Sequence, residues 1–95
     1  MYIQLIFEWD ENKRLSNLEK HGLDFFDAAE LWSFPMMICE DQRYQYGENR
    51  YIALGLLEKR VVVCAYTTRD NNIIRIISFR KANSREVQRY EKNTI

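Results

Sequence analysis

The stretch Ile73–Phe79, read with the residues that follow it as far as Glu91, constrains the fold more than any other part of the chain. Isoleucine or phenylalanine fills five of its seven positions, the pattern of a strand buried on both faces. Arg75 nevertheless stands inside it, and Arg80 and Lys81 follow its end. A charge on a core strand costs several kcal/mol unless it is paired or reaches solvent, so a partner must account for it. Asn83 then caps a helix, with Glu86 three residues on completing a capping-box pattern. That helix, Ser84 to about Lys92, is short and must dock to persist, with Val87 and Tyr90 as its anchor.

The rest of the chain supplies what this strand and helix pack against. Ile3, Leu5, Phe7 and Trp9 alternate with Tyr2, Gln4, Ile6 and Glu8 as in a strand. Asp10 caps a helix from Glu11 to His21 that stops at Gly22, with Leu15 and Leu18 as core contacts and Lys13, Asn17, Lys20 and His21 on its polar side. Asp24 caps a second helix whose apolar stripe is Phe25, Ala28, Ala29 and Trp32, ended by Phe34-Pro35. This stripe is read as core before base-stacking surface. Strands follow at Met36–Glu40, Arg50–Leu57 and Val61–Thr67, with a polar loop from Asp41 to Asn49 and turn residues at Arg69–Asn72. The prediction is a single α+β domain over residues 1–95. Its mainly antiparallel sheet has four to five strands, two N-terminal helices on one face and a short C-terminal helix.

Composition narrows the function. No basic segment precedes the apolar residues near Met1, so no signal peptide is expected. The longest apolar run, Val61–Tyr66, falls far short of the ~20 residues a membrane span needs. A cytoplasmic protein without a membrane partner is expected. Cys39 and Cys64 sit in apolar runs and read as free thiols, with a disulfide between adjacent strands as the other option. The zero net charge hides two unlike halves. Residues 1–48 hold four Lys and Arg against ten Asp and Glu, a net of −6; residues 49–95 hold ten against four, a net of +6. A basic half of this kind suits an acidic partner.

Gly-rich phosphate loops, GxSxG elbows and zinc-type Cys and His spacings are absent, so no metal or cofactor is expected. What remains is a set of cations and hydrogen-bonding groups suited to a phosphodiester: guanidinium groups for the phosphate oxygens and a general base for a 2′-hydroxyl. Candidate catalytic residues are His21, Arg75, Arg80, Glu86 and Tyr90; candidate RNA-binding residues are Lys20, Arg50, Lys81, Arg85 and Arg89. Each has a plainer reading. Arg75 can pair with a helix carboxylate, His21 can close a helix, Tyr90 can be a docking anchor and Glu86 only a cap. Arg85 and Arg89 can be a solvated helix face. Arg75 and Arg80 are five positions apart, so a regular strand puts them on opposite faces; they share one only if the chain bulges, twists or leaves the sheet near Phe79. A non-catalytic module binding nucleic acid or protein through its basic half is the alternative reading.

The stretches FEWDENK from Phe7, LEKHGLDF from Leu18, GENRYIALG from Gly47 and RIISFRKANSREVQRYE from Arg75 together resemble the BrnT family of type II toxin–antitoxin toxins. The resemblance implies a RelE-like ribonuclease fold and a metal-independent RNA endonuclease that stalls translation. It implies cleavage of RNA, mRNA in particular, and a hetero-oligomer with a BrnA-type antitoxin that alone contacts operator DNA. It also implies an RNA site lined by Lys20 and His21 of the KHG segment, Arg75 and Arg80 of the strand, and Glu86 and Tyr90 of the last helix. Phe79 stands where the family commonly has a small residue, and is expected to fill part of a cleft beside Arg80. Tyr44 and Tyr46 depart from the usual loop residues and are expected to alter RNA or antitoxin contacts.

Overall fold

Five strands hydrogen-bond side by side in the order β1-β5-β4-β3-β2. The computed structural model describes residues 4–43, 45 and 47–93, so Tyr2, Ile3, Tyr44 and Tyr46 and the expectations placed on them lie outside the described residues. Along the chain come β1 (Ile6–Trp9), α1 (Glu11–His21), α2 (Phe25–Ala28) and a 3-10 helix (Ala29–Ser33). Then follow β2 (Met37–Glu40), β3 (Arg50–Leu57), β4 (Arg60–Arg69), β5 (Ile73–Lys81) and α3 (Ser84–Asn93). β2 to β5 are antiparallel neighbours, while β1 runs parallel to β5, pairing Ile6 with Ile73 through to Trp9 with Ile76. The α+β expectation stands, with a mixed sheet. β5 is longer than its apolar run and carries Arg80 and Lys81 within it.

Local signals set the helix ends. The Asp10 carboxylate accepts from the Lys13 amide at 3.1 Å, and Gly22 takes φ 72° to end α1. Asp24 accepts from the Phe26 amide at 3.0 Å. The second helix departs from the expected stripe: after one α turn it tightens into 3-10 form. Phe25, Ala28 and Leu31, three apart, then line up at three residues per turn, and all are fully buried. They pack on Ala53, Val62, Cys64, Ile74, Ile76 and Phe79. Each large side chain buried here contributes about 1.5–3 kcal/mol. Gly55 permits the approach, since a Cβ there would stand 3.2 Å from Leu31. Trp32 meets Phe7 and Tyr66 edge-on with centroids 5.2 and 5.0 Å apart, so the aromatic stripe is core.

α3 packs on the opposite sheet face. Asn83 and Glu86 exchange both capping-box bonds at 2.9 Å, and Tyr90 is buried against Leu54 and Val63. Cys39 and Cys64 are both free, on non-adjacent strands and opposite faces by register, which removes the disulfide option.

One expectation for α1 is overturned. Leu15 and Leu18 are exposed, and the buried residue is Asn17 from the polar side. β1 stops pairing at Ile76, so the outer edge of β5 beyond it lacks a strand partner. Asn17 fills that gap. Its Nδ2 donates to the Phe79 carbonyl at 2.7 Å, and its Oδ1 accepts from the Phe79 amide at 3.1 Å. A second Nδ2 bond to the Leu23 carbonyl at 3.0 Å ties in the loop after α1. A side-chain amide carries the same donor and acceptor as a peptide group, so it replaces one residue of a neighbouring strand.

Candidate nucleic-acid site

The strand register decides which cations meet. β4 and β5 pair regularly from Val62–Lys81 to Ala65–Ser78, then jump to Tyr66–Ile76, leaving Ile77 as the extra residue of a bulge. Ile74, Ile76 and Phe79 therefore all point into the helix-side core. Arg75, Ser78 and Arg80 point to the other face. The parity that separates two residues five apart is thus reversed by one inserted position.

On that face the cross-strand rows are read directly. Glu8, Arg75, Thr67 and Arg50 form one row across β1, β5, β4 and β3. Arg80 and Val63 lie in a second row, and between the two rows is Ser78 beside Ala65. Four residues of β4 separate the rows, about 13 Å at 3.3–3.4 Å per residue, a gap two arginine side chains can close over. Its floor is a serine and an alanine, and Arg50 stands about 10 Å from Arg75, two strands across. One sheet face thus carries small residues between two rows that bear guanidinium groups.

Carboxylates hold these arginines. Arg80 makes a bidentate pair with Glu86, Nη1 to Oε1 at 2.8 Å and Nη2 to Oε2 at 2.9 Å. Glu86 Oε1 also accepts from the Asn83 amide, so α3's cap and Arg80's position are one network. Arg80's hydrogen bonds hold the Glu86 carboxyl below its ordinary range, against the opposing effect of partial burial, and Glu86 in turn raises Arg80. Arg75 Nη1 reaches Glu8 Oε2 at 3.2 Å, so its partner is a strand carboxylate where the sequence reading placed a helix carboxylate. Glu8 also pairs with Arg69 at 2.9 Å, and Arg50 with Glu48 at 3.1 Å. Arg75 and Arg80 keep 36 and 39% of their side chains exposed, enough for their remaining N–H groups to meet a ligand.

Lys20 and His21 lie elsewhere, in a groove of about 350 Å³ between α1 and β5 lined also by Asn12, Lys13, Ser16, Asn17, Ile77 and Ser78. Ser78 belongs to both places: its register puts it among the arginines, and it lines the α1 groove. The open edge of β5 thus joins the two.

The other predicted residues do not join these arginine rows. Lys81 pairs with Val62, so its position faces the helix side, away from Arg80. Arg85 and Arg89 line a shallow groove on α3 with Gln88, Lys92 and Asn93, although Arg89 helps to lower the Glu86 carboxyl. Tyr90 is an anchor, its hydroxyl 3.4 Å from the Pro35 carbonyl. Phe79 is fully buried on the helix side, so it does not fill a cleft beside Arg80 as expected. Among the described residues no three His, Cys, Asp or Glu side chains are grouped to hold a metal ion.

Sequence reasoning missed several members. Glu8, Arg69 and Thr67 share the arginine face only through pairing with β5, and Arg43 lies near enough to oppose Arg80's charge. Asn17 carried one signal, an amide on a helix with few apolar anchors, but its partner is 62 positions away.

No match was found among curated proteins. Among solved structures, the chain is similar to the crystal structure of the Brucella abortus ribonuclease toxin BrnT, with a TM-score of 0.70 and 25% identity. The match covers 85% of this chain and 100% of that one. The family model for the ribonuclease toxin BrnT of type II toxin–antitoxin systems matches residues 9–86, which include α1, the Ile77 bulge and Glu86. The chain belongs to the BrnT family of ribonuclease toxins of type II toxin–antitoxin systems.

Proposed function

We propose that the protein is a metal-independent endoribonuclease that cuts mRNA, stalls translation and is neutralised by a BrnA-type antitoxin in a hetero-oligomer. The observation that carries this reading is the Ile77 bulge, which sets Arg75 and Arg80 on one face over a floor of Ser78 and Ala65. A phosphodiester seated there meets two guanidinium groups, with Arg50 in reach of a flanking phosphate. As the 2′-oxygen attacks the neighbouring phosphorus, negative charge grows on the non-bridging oxygens, where Arg80 and Arg75 stabilise it. The bond to the 5′-oxygen breaks, leaving a 2′,3′-cyclic phosphate and a 5′-hydroxyl.

Proton transfer falls to His21 in this scheme. Both Glu86 oxygens already accept from Arg80, and the lowered carboxyl makes a weak base, so Glu86 fixes Arg80 and the helix cap. His21 lines the groove joined to the arginine face through Ser78, where an imidazole can take or return a proton. The outward side of α1, where Leu15 and Leu18 are exposed, is the surface we assign to the antitoxin. The decisive experiment incubates purified protein with RNA and a chelator. Defined cuts ending in 2′,3′-cyclic phosphate are expected, reduced at least 100-fold by Arg80→Ala, since removing one group that stabilises developing charge costs about 10²–10³. Full cleavage by both Arg80→Ala and His21→Ala proteins defeats the site assignment.

A further inference from the structure

Arg14, Arg43, Arg50, Arg69, Arg75 and Arg80 each stand within ion-pair distance of a carboxylate. Among the described residues the other cations have no ion pair; Arg85, Arg89 and Lys92 lie together on α3, and a second group lines the α1 groove, which alone shares Ser78 with the arginine face. The side chains of Lys13, Lys20 and His21 have no ion pair or hydrogen bond among the described residues, and no carboxylate lines the groove. Lys13 and Lys20 stand about 10 Å apart along the helix, with Ser16 between them. The facing wall is Ile77 and Ser78, where β5 has lost β1 as a neighbour. Positive charge gathered without compensation, with hydroxyls and amides beside it, is a binding surface for an anion from outside.

We propose that this groove is a second phosphate subsite. Lys13, Ser16 and Lys20 hold an RNA phosphodiester further along the strand from the one at Arg75 and Arg80, and the RNA crosses the open edge of β5 at Ser78. This rests on the arginine face being the RNA-cleaving site. Two observations favour RNA over an acidic protein segment. The groove runs into the arginine face through a shared residue, as a continuous polyanion requires. Ile77 is its only apolar lining residue, whereas protein interfaces anchor on aromatic and aliphatic side chains. Asn17, bonded to Phe79 between Ser78 and Arg80, keeps the subsite in register with the arginines.

The test uses a mixed-sequence 2′-O-methyl RNA oligonucleotide, which lacks the attacking hydroxyl and so reports binding alone. Affinity is measured against salt for the wild type, Lys13→Ala/Lys20→Ala and Lys59→Ala, the last on the exposed turn after β3. The double variant should bind about tenfold more weakly and lower the salt slope by about 0.7–1.4, one or two phosphate contacts on a single strand. Lys59→Ala should match the wild type. An unchanged slope in the double variant overturns the subsite, as does selective loss of binding to an acidic peptide with RNA binding intact. A parallel assay on unmodified RNA separates the two readings. Cutting with an unchanged slope defeats the subsite alone, and a reduced slope without cutting by the wild type defeats the nuclease reading alone.

Discussion

Glu86 shows how one side chain serves two elements. It caps α3 through the Asn83 amide while gripping Arg80 with both oxygens, so the helix start and the arginine's direction are set together. Its carboxyl is held below the ordinary 4.5, mainly by Arg80. A carboxyl whose folded value is depressed contributes stability above its unfolded value, and loses it as pH falls through the folded one. The wild type should therefore lose Tm on acidification below about pH 4.5, and Glu86→Gln, which cannot titrate, should lack that component. The same variant should cut RNA 10- to 100-fold more slowly with little change in binding, because a misdirected group costs about that much. Thermal melts across pH and single-turnover cleavage check both halves; wild-type cleavage by Glu86→Gln would show that Arg80's pairing is incidental.

At the scale of elements, the hairpins are not equally relaxed. β3 and β4 are joined by two residues, Glu58 and Lys59, at φ 49° and 68°, between the paired Leu57 and Arg60. Left-handed conformations at both positions are those of a type I′ turn, which favours Asn-Gly, and each ordinary residue there costs about 1–2 kcal/mol. Glu58→Asn/Lys59→Gly should stabilise the fold by about 1 kcal/mol, or roughly 4–8 °C in Tm for a chain of this size. An unchanged or lower Tm by calorimetry would count against strain in the turn. The strands expected at Arg50–Leu57 and Val61–Thr67 leave only a short connection here; its handedness follows from the two-residue loop between twisted strands.

Across the whole molecule, the acidic and basic halves do not form two poles. β1 from the acidic half lies beside β5 from the basic half, and Glu8 pairs with both Arg69 and Arg75. Net charge by half therefore overstated the free positive surface, because Arg50, Arg69, Arg75 and Arg80 of the basic half are each paired with a carboxylate. The helix layer is tied to the sheet in part by Asn17. Removing that amide leaves buried carbonyl and amide groups of Phe79 without partners, at about 1–3 kcal/mol per unsatisfied group. Asn17→Ala should lower the unfolding free energy by about 2–4 kcal/mol in denaturant titrations, since two such groups are exposed together. A loss below about 0.5 kcal/mol would mean water replaces the side chain, as at ordinary surface positions.

What the sequence determined by itself is local. Caps at Asp10, Asp24 and Asn83, the stop at Gly22, the period-two strands and the capping-box Glu86 depend on neighbours within a few positions, where propensity and hydrogen bonding act directly. The α+β class followed from the same signals, which also marked Arg75, Arg80 and His21 as candidates. Tertiary structure decided which of them share a face. The bulge at Ile77 exists only in the pairing of β5 with β4, and one inserted residue reverses the face of every side chain beyond it. Partners 62 and 67 positions apart, Asn17 with Phe79 and Glu8 with Arg75, meet only when the sheet closes, so no window of sequence carries them.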